Sequence, residues 1–199
     1  MKILQRSVLL LAVFILQGCF SSNHYYILSV ASNPSHTYPS HNLILAVKKV
    51  TIPAYLYKRE IAIAASSSKI ILLPSSQWGE DLDTGLTNRI IGFLQKKFKN
   101  PHVYPYPWGL NTQADIKISI QVTRFIAENN SVYLDATWNI EDLKTKEVRA
   151  KLYSVRIDTT AEIEDIIKSM DKAMSDFENS IAKGIYQFNQ MNQSTKERE

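Results

Sequence analysis

Residues able to make or break bonds are sparse in this 199-residue sequence. The four histidines, His24, His36, His41 and His102, are scattered. None stands at the H-x3-H or HExxH spacing that sets two imidazoles on one metal ion. There is no G-x-S-x-G turn, no Walker loop and no GxGxxG. The adjacent carboxylates Glu80-Asp81 and Glu141-Asp142 fall where a helix should start and a chain should turn, so they read as solvated caps. The pattern offers no catalytic residue and no metal ligand set, and it points away from an enzyme. Cys19 is the one thiol, which rules out an internal disulfide.

The chemistry open to Cys19 is set by what precedes it. Lys2 and Arg6 form a short positive start, and Val8 to Leu16 carries no polar side chain. As a helix this run spans roughly 14 Å, about half of a bilayer's hydrocarbon, so it is too short to cross. Leu16-Gln17-Gly18-Cys19 then closes the layout of an export signal, expected over residues 1–18. The placement resembles the lipobox of bacterial lipoproteins, with Gln17 departing from the small or β-branched residue common there. The resemblance implies a diacylglycerol on the Cys19 thiol, cleavage before it, and acylation of the new amino terminus by a fatty acid such as palmitate. This covalent lipid on Cys19 is the only prosthetic group expected, with no other cofactor. Such an anchor holds a protein to a surface without crossing it. Phe20, where an Asp would favour the inner membrane, leans by the same resemblance toward the outer membrane.

Without the signal, the chain is one ordinary domain's worth. Over the full 199 residues, charged residues make up 21% and hydrophobic residues 45%, within the globular range, the signal raising the second figure. Lys2 and Arg6 supply two of the net +4 charges, and no Lys/Arg block exists, so nucleic acid is not an expected partner. No period of 20–50 residues repeats, which disfavours a solenoid or propeller.

The elements that must carry these residues follow from periodicity. Residues 19–24 read as the lipidated terminus and tether, and Tyr25 to Val30 as a first strand. Ala31 to Asn42 is a Pro- and Ser-containing loop, and Leu43 to Ile52 a second strand stopped by Pro53. Ile61-Ala62-Ile63 and Lys69 to Leu73 make a hairpin about Ser66-Ser67-Ser68, ended by Pro74. Gln77 to Phe98 switches to helical spacing, with Trp78, Leu82, Leu86, Ile90, Leu94 and Phe98 four apart. Ser75 or Ser76 is the expected cap. His102 to Gly109 is too Pro-rich for a central strand and reads as an extended connection.

From Asp115 to Asp158, apolar residues alternate through three runs separated by turns, the pattern of an antiparallel meander. Thr159 with Glu162 reads as a capping box for a last helix reaching about Asn189. Its apolar stripe runs Ile163, Ile167, Met170, Met174, Phe177, Ile181, Ile185 and Phe188. Residues 190–199 are polar and are expected to be disordered. The fold class expected for 25–189 is α+β in two layers, a mostly antiparallel sheet packed against two long amphipathic helices. The last helix outruns a small sheet, so its end either frays or packs on another subunit. Tyr104, Tyr106, Trp108 and Trp78, with Tyr55 and Tyr57, either fill the ends of the core or form an interface or membrane-facing rim.

Taken in order, these segments resemble one family. The lipobox cysteine is followed by Y-Y-I-L-S-V, then by L-x-V-x-x-V-x-I-P-A-Y-L from Leu45 to Leu56. W-G-E-D-L (Trp78 to Leu82), Pro107-Trp108, D-I-K-I-S-I-Q-V-T-R-F (Asp115 to Phe125) and L-D-A-T-W-N-I (Leu134 to Ile140) come after. The set is similar to the ABC-type transport auxiliary lipoproteins, a family that includes an intermembrane transport lipoprotein. Where the family has an Asp-Arg-x-Gln-type segment, this chain has Tyr57-Lys58-Arg59-Glu60.

The resemblance implies a non-enzymatic lipoprotein on the periplasmic face of the outer membrane. It would serve an ABC-type permease system with an MCE-domain (mammalian cell entry) protein, moving lipids between inner and outer membranes. Some members of the family act as homo-oligomeric rings. Cys19 is carried over as the lipid anchor, and Pro53, Tyr55, Leu56, Trp78, Leu82 and Trp108 as motif positions with structural or interfacial roles. A competing reading is an envelope assembly or structural lipoprotein partnering an outer-membrane β-barrel. A lipid-anchored hydrolase is disfavoured by the missing site motifs.

Overall fold

A computed structural model describes residues 22–39, 43–107 and 113–196. Its strands are β1 (His24–Tyr26), β2 (Leu45–Lys48), β3 (Glu60–Ser66), β4 (Lys69–Trp78), β5 (Val103–Tyr106), β6 (Ile116–Glu128), β7 (Ser131–Asp142) and β8 (Val148–Asp158). The helices are α1 (Leu82–Phe98) and α2 (Ile163–Lys196), with a 3-10 turn at Ala54–Tyr57. The architecture is α+β, with all eight strands in one sheet.

The meander forms as the alternation dictates, with β6, β7 and β8 antiparallel in sequence order. Asn129 and Asn130 both take positive φ, the geometry a two-residue hairpin turn requires and Asn tolerates. Val132, Leu134, Ala136, Trp138 and Ile140 of β7 are buried. They face α2, which packs across β7 and β8, while α1 packs on β5 and β2 and touches α2.

The sheet is mixed, which corrects the expectation of a mostly antiparallel one. The pairs β1–β4, β2–β5, β2–β6 and β3–β6 all run parallel. Alternation betrays antiparallel order only between consecutive strands; parallel neighbours are brought together by long connections that leave no periodic mark. Here β6 is the trunk. One side of it pairs with β7 along its length. The other side forks, taking β2 beside Ile116 to Ile118 and β3 at Ala127.

The helices also differ from two long amphipathic rods. α1 has 17 residues and α2 has 34. α1 is covered on more than one side, because polar Asp83, Thr87, Arg89 and Lys97 are buried along with its apolar residues. It starts at Leu82 behind Asp81, not at Gln77, and Ser76 and Trp78 end β4 instead of opening the helix. Its C-terminus is a Schellman turn: Lys99 is left-handed at φ 47°, and the Asn100 N–H donates to the Gln95 carbonyl at 3.0 Å. The expected Thr159 capping box does not form. Thr159 Oγ1 makes no hydrogen bond among the described residues, Thr160 Oγ1 accepts the Glu162 N–H at 3.1 Å in a turn ahead of α2, and the Glu162 carbonyl accepts the Ile166 N–H at 3.0 Å. The helix continues to Lys196, so residues 190–196 are helical where a disordered tail was expected.

Smaller departures have local causes. β4 runs past Pro74 because the register jumps there: Ile61 pairs with Leu73 and Glu60 with Gln77, so no β3 ladder bond is asked of the proline. Val103–Tyr106 is a short strand at the sheet's edge, the one sheet position where Pro105 is tolerated. The first strand stops at Tyr26, well short of Val30.

Candidate functional site

Three features converge on the side of the fold where the N-terminal arm enters: the arm itself, an ion cluster beneath it, and the fork of the sheet. Cys19 and Trp108 lie outside the described residues. Pro53, Tyr55, Leu56, Trp78 and Leu82 all lie within them.

The P-A-Y-L segment fills the fork. Between the isolated bridge of Thr51 beside Gln121, just past β2, and the β3 contact at Ala127, this flank of β6 has no strand partner among the described residues. β6 also carries a bulge between Val122 and Arg124, which sets its backbone groups off register. The Thr51 carbonyl accepts the Val122 N–H at 2.8 Å, and the Tyr55 hydroxyl accepts the Phe125 N–H at 3.2 Å. Pro53 precedes the 3-10 turn, and its carbonyl accepts the Leu56 N–H at 3.0 Å. The tight turn thus presents Tyr55 to the orphaned backbone and drops Leu56 into the core. Burial raises the Tyr55 hydroxyl above its ordinary pKa, so it stays a neutral partner.

Leu56, Trp78 and Leu82 sit in one buried cluster with Val50 and Ile52. Trp78 closes β4 opposite Tyr26, its backbone N–H donating to the Arg59 carbonyl at 2.7 Å, and Leu82 begins α1. These motif residues tie the fork, the arm and the first helix together. Tyr55 is half-buried, and Tyr57 points to solvent.

The arm after β1 is bound at every few residues. The Gly79 N–H donates to the Tyr26 carbonyl at 2.8 Å, and Leu28 is buried in the core. Ala31 packs on Gly92, where an added Cβ would stand 3.3 Å from the alanine methyl. The Lys96 ammonium donates to the Ala31 carbonyl at 2.8 Å. Farther along, the Tyr38 N–H donates to the Lys97 carbonyl, and the Tyr38 ring stacks on Tyr186 of α2 with centroids 4.4 Å apart. The expected loop is therefore a strap running over both helices.

Beneath the strap lies a cluster that sequence reading missed. Arg89 of α1 is wholly buried and donates from Nε to Glu178 Oε1 at 2.8 Å and from Nη1 to Asp171 Oδ1 at 2.5 Å. It also reaches the Leu28 carbonyl at 3.3 Å and Ser175 Oγ at 3.0 Å. One guanidinium faces two carboxylates, and Glu178 is as deeply buried as Arg89. Burial therefore pushes the Glu178 carboxyl up to about 7 despite Arg89. A signal for the cluster was present: Arg89 lies three residues from Leu86 and four from Phe93, and Glu178 three from Ile181. Both charges interrupt apolar stripes, the places where a charge needs a buried partner.

On the sheet face away from the helices, an open groove of about 600 Å³ runs between the β3–β4 hairpin and the end of β6, bordered by Tyr55, Ile70, Arg124 and Ile126. Arg124 is occupied there by an ion pair with Glu128 and stacks on Tyr133. Among the described residues, no group of three His, Cys, Asp or Glu is placed to hold a metal ion. No described helix is long and apolar enough to cross a membrane.

The strapped arm, the forked mixed sheet and the two described helices together make the body that can be compared with known proteins. The family model for the ABC-type transport auxiliary lipoprotein component matches residues 26–182, and the chain belongs to that family. Two solved structures share the fold. One is protein XCC0632 from Xanthomonas campestris, with a TM-score of 0.73 at 12% identity over 86% of this chain and 99% of that one. The other, described as an uncharacterized protein, has a TM-score of 0.68 at 17% identity over 82% of this chain and 99% of that one. No curated protein matches the chain.

Proposed function

We propose that the protein is a lipid-anchored, non-enzymatic accessory of an ABC-type system that moves lipids between the inner and outer membranes. Cys19 carries the lipid, and the body stands on the periplasmic face of the outer membrane. It works by docking to an MCE-domain protein of the permease system, itself as a homo-oligomeric ring. The covalent lipid is its only cofactor. The observation that carries this reading is the family match from residue 26 to residue 182, which begins only seven residues after the lipobox cysteine.

Two structural features support a docking role. The strap makes the anchored arm part of the packed body, so the body's orientation at the membrane is constrained. β8 is an 11-residue edge strand that pairs only with β7 among the described residues. Its other edge offers backbone donors and acceptors to a protein partner.

The test is chemical crosslinking in intact cells, followed by detergent extraction and affinity capture of the full-length lipoprotein. Recovery of an MCE-domain protein with its permease supports the proposal. Recovery of an outer-membrane β-barrel in their place would transfer the protein to an assembly role.

A further inference from the structure

The β3–β4 hairpin carries an apolar surface that nothing in the fold covers. β3 meets β6 only at Ile63 beside Ala127, and β6 turns away after Glu128. The hairpin continues past that point to Ser66 beside Lys69. On the returning strand Ile70, Ile71 and Leu72 are consecutive and are 44%, 43% and 37% exposed. Successive strand residues point to opposite faces, so both faces of this projection are apolar. Lys69 is the only charged residue from Ile61 to Leu73. The other long free edge, β8, by contrast carries Arg149, Lys151 and Arg156, charges that suit a polar partner and not a lipid interior.

The arm says what occupies this surface. β1 runs parallel to β4 with His24 beside Ser76, so the chain ahead of His24 approaches from the Lys69 end of β4. Ser76 is six residues past Ile70, about 20 Å along a strand. Cys19 is five residues ahead of His24, a reach of at most about 17 Å. A lipid on Cys19 therefore enters its membrane within reach of Ile70 to Leu72. A protein groove takes one face of a strand, whereas a lipid interface surrounds both.

We propose that the β3–β4 hairpin is a second membrane contact, lying in the lipid surface beside the acylated cysteine. The inference rests on the Cys19 anchor proposed above. Ile70, Ile71 and Leu72 enter the boundary between headgroups and acyl chains, about 5–10 Å deep for interfacial elements. Lys69 and the serines of the turn stay among the phosphates, the ammonium reaching outward along its aliphatic stem. The lipidated cysteine and the strap hold the body at one point and limit its orientations; the added contact narrows them to one.

The experiment uses the full-length lipidated protein in vesicles of phosphatidylethanolamine and phosphatidylglycerol, with and without bromine-labelled phosphatidylcholine. Ile71→Trp places a reporter on the hairpin, and Leu152→Trp places a control on β8, where Leu152 is 82% exposed. Ile70→Trp serves as a second reporter should Ile71→Trp fold poorly. Flotation with the vesicles is scored first. For floating protein, the hairpin tryptophan should emit at shorter wavelength than the control and lose added emission to bromolipid, as a depth of about 5–10 Å demands. The control should lose little. Floating protein whose hairpin reporters behave like the control overturns the hairpin contact and leaves the anchor standing. Protein that does not float overturns the anchor and this inference with it.

Discussion

Replacing Arg89 by methionine tests how the strap, α1 and α2 are held together. The substitution keeps an unbranched side chain but leaves two carboxylates without their shared cation. Asp171 has a side chain 53% exposed and can rehydrate. Glu178 has no exposure and no such recourse. Removing one partner of a buried pair costs about 3–5 kcal/mol, most of it from the charge left behind. Arg89→Met should lose that much stability at pH 8 in urea unfolding followed by circular dichroism. The double variant Arg89→Met/Glu178→Met should recover most of it, since apolar replacement of a whole buried pair is often neutral.

The pH dependence follows from the same carboxyl. Its folded pKa, about 7, lies above the usual 4.5, so the folded state holds the proton more tightly than the unfolded chain. The contribution of Glu178 is then fully present below about pH 4.5 and is lost as pH rises through about 7. Arg89→Met raises that pKa further, so its penalty should shrink at pH 5.5, and Glu178→Gln should flatten the wild-type slope across this window. A loss under about 1 kcal/mol for Arg89→Met at pH 8, or a double variant no better than the single, would refute the reasoning.

Two further substitutions probe the packing of α2 on β7 and the fork beside β6. At Gly184 an added Cβ would lie 2.3 Å from Trp138 Cη2, so Gly184→Ala should lower the melting temperature. The clash costs about 1–3 kcal/mol and outweighs the helix preference of alanine, about 1 kcal/mol; a more stable variant in calorimetry would contradict it. Tyr55→Phe removes the acceptor of the Phe125 N–H at the fork and should cost about 1 kcal/mol in urea unfolding, with no cost if water replaces the hydroxyl.

What could be read before the structure was whatever repeats locally. The Ile116 to Ile157 alternation specified the meander, and the three- and four-residue steps from Ile163 specified α2. The forked parallel pairings could not be read that way, because β2 and β3 reach β6 from positions more than sixty residues away. Trp78 matched the helical spacing and yet ends a strand, since four-residue recurrence also fits a buried strand end. Of the candidate site, P-A-Y-L was visible as a motif, but its task was hidden: the Val122–Arg124 bulge that strands the Phe125 N–H has no marker in sequence. The Arg89–Glu178 pair was readable as two charges on apolar stripes, though their partnership needed the helices side by side.

Every role assigned to this protein depends on its being held at a membrane through Cys19. The direct measurement is fractionation of cells producing the wild-type protein and Cys19→Ala, with mass spectrometry of the N-terminal peptide. The account predicts a diacylglyceryl-modified Cys19 at the mature terminus and wild-type protein in the membrane fraction, with Cys19→Ala released to the soluble periplasm. An unmodified thiol on freely diffusing wild-type protein, or a Cys19→Ala variant that stays with the membrane, would contradict it.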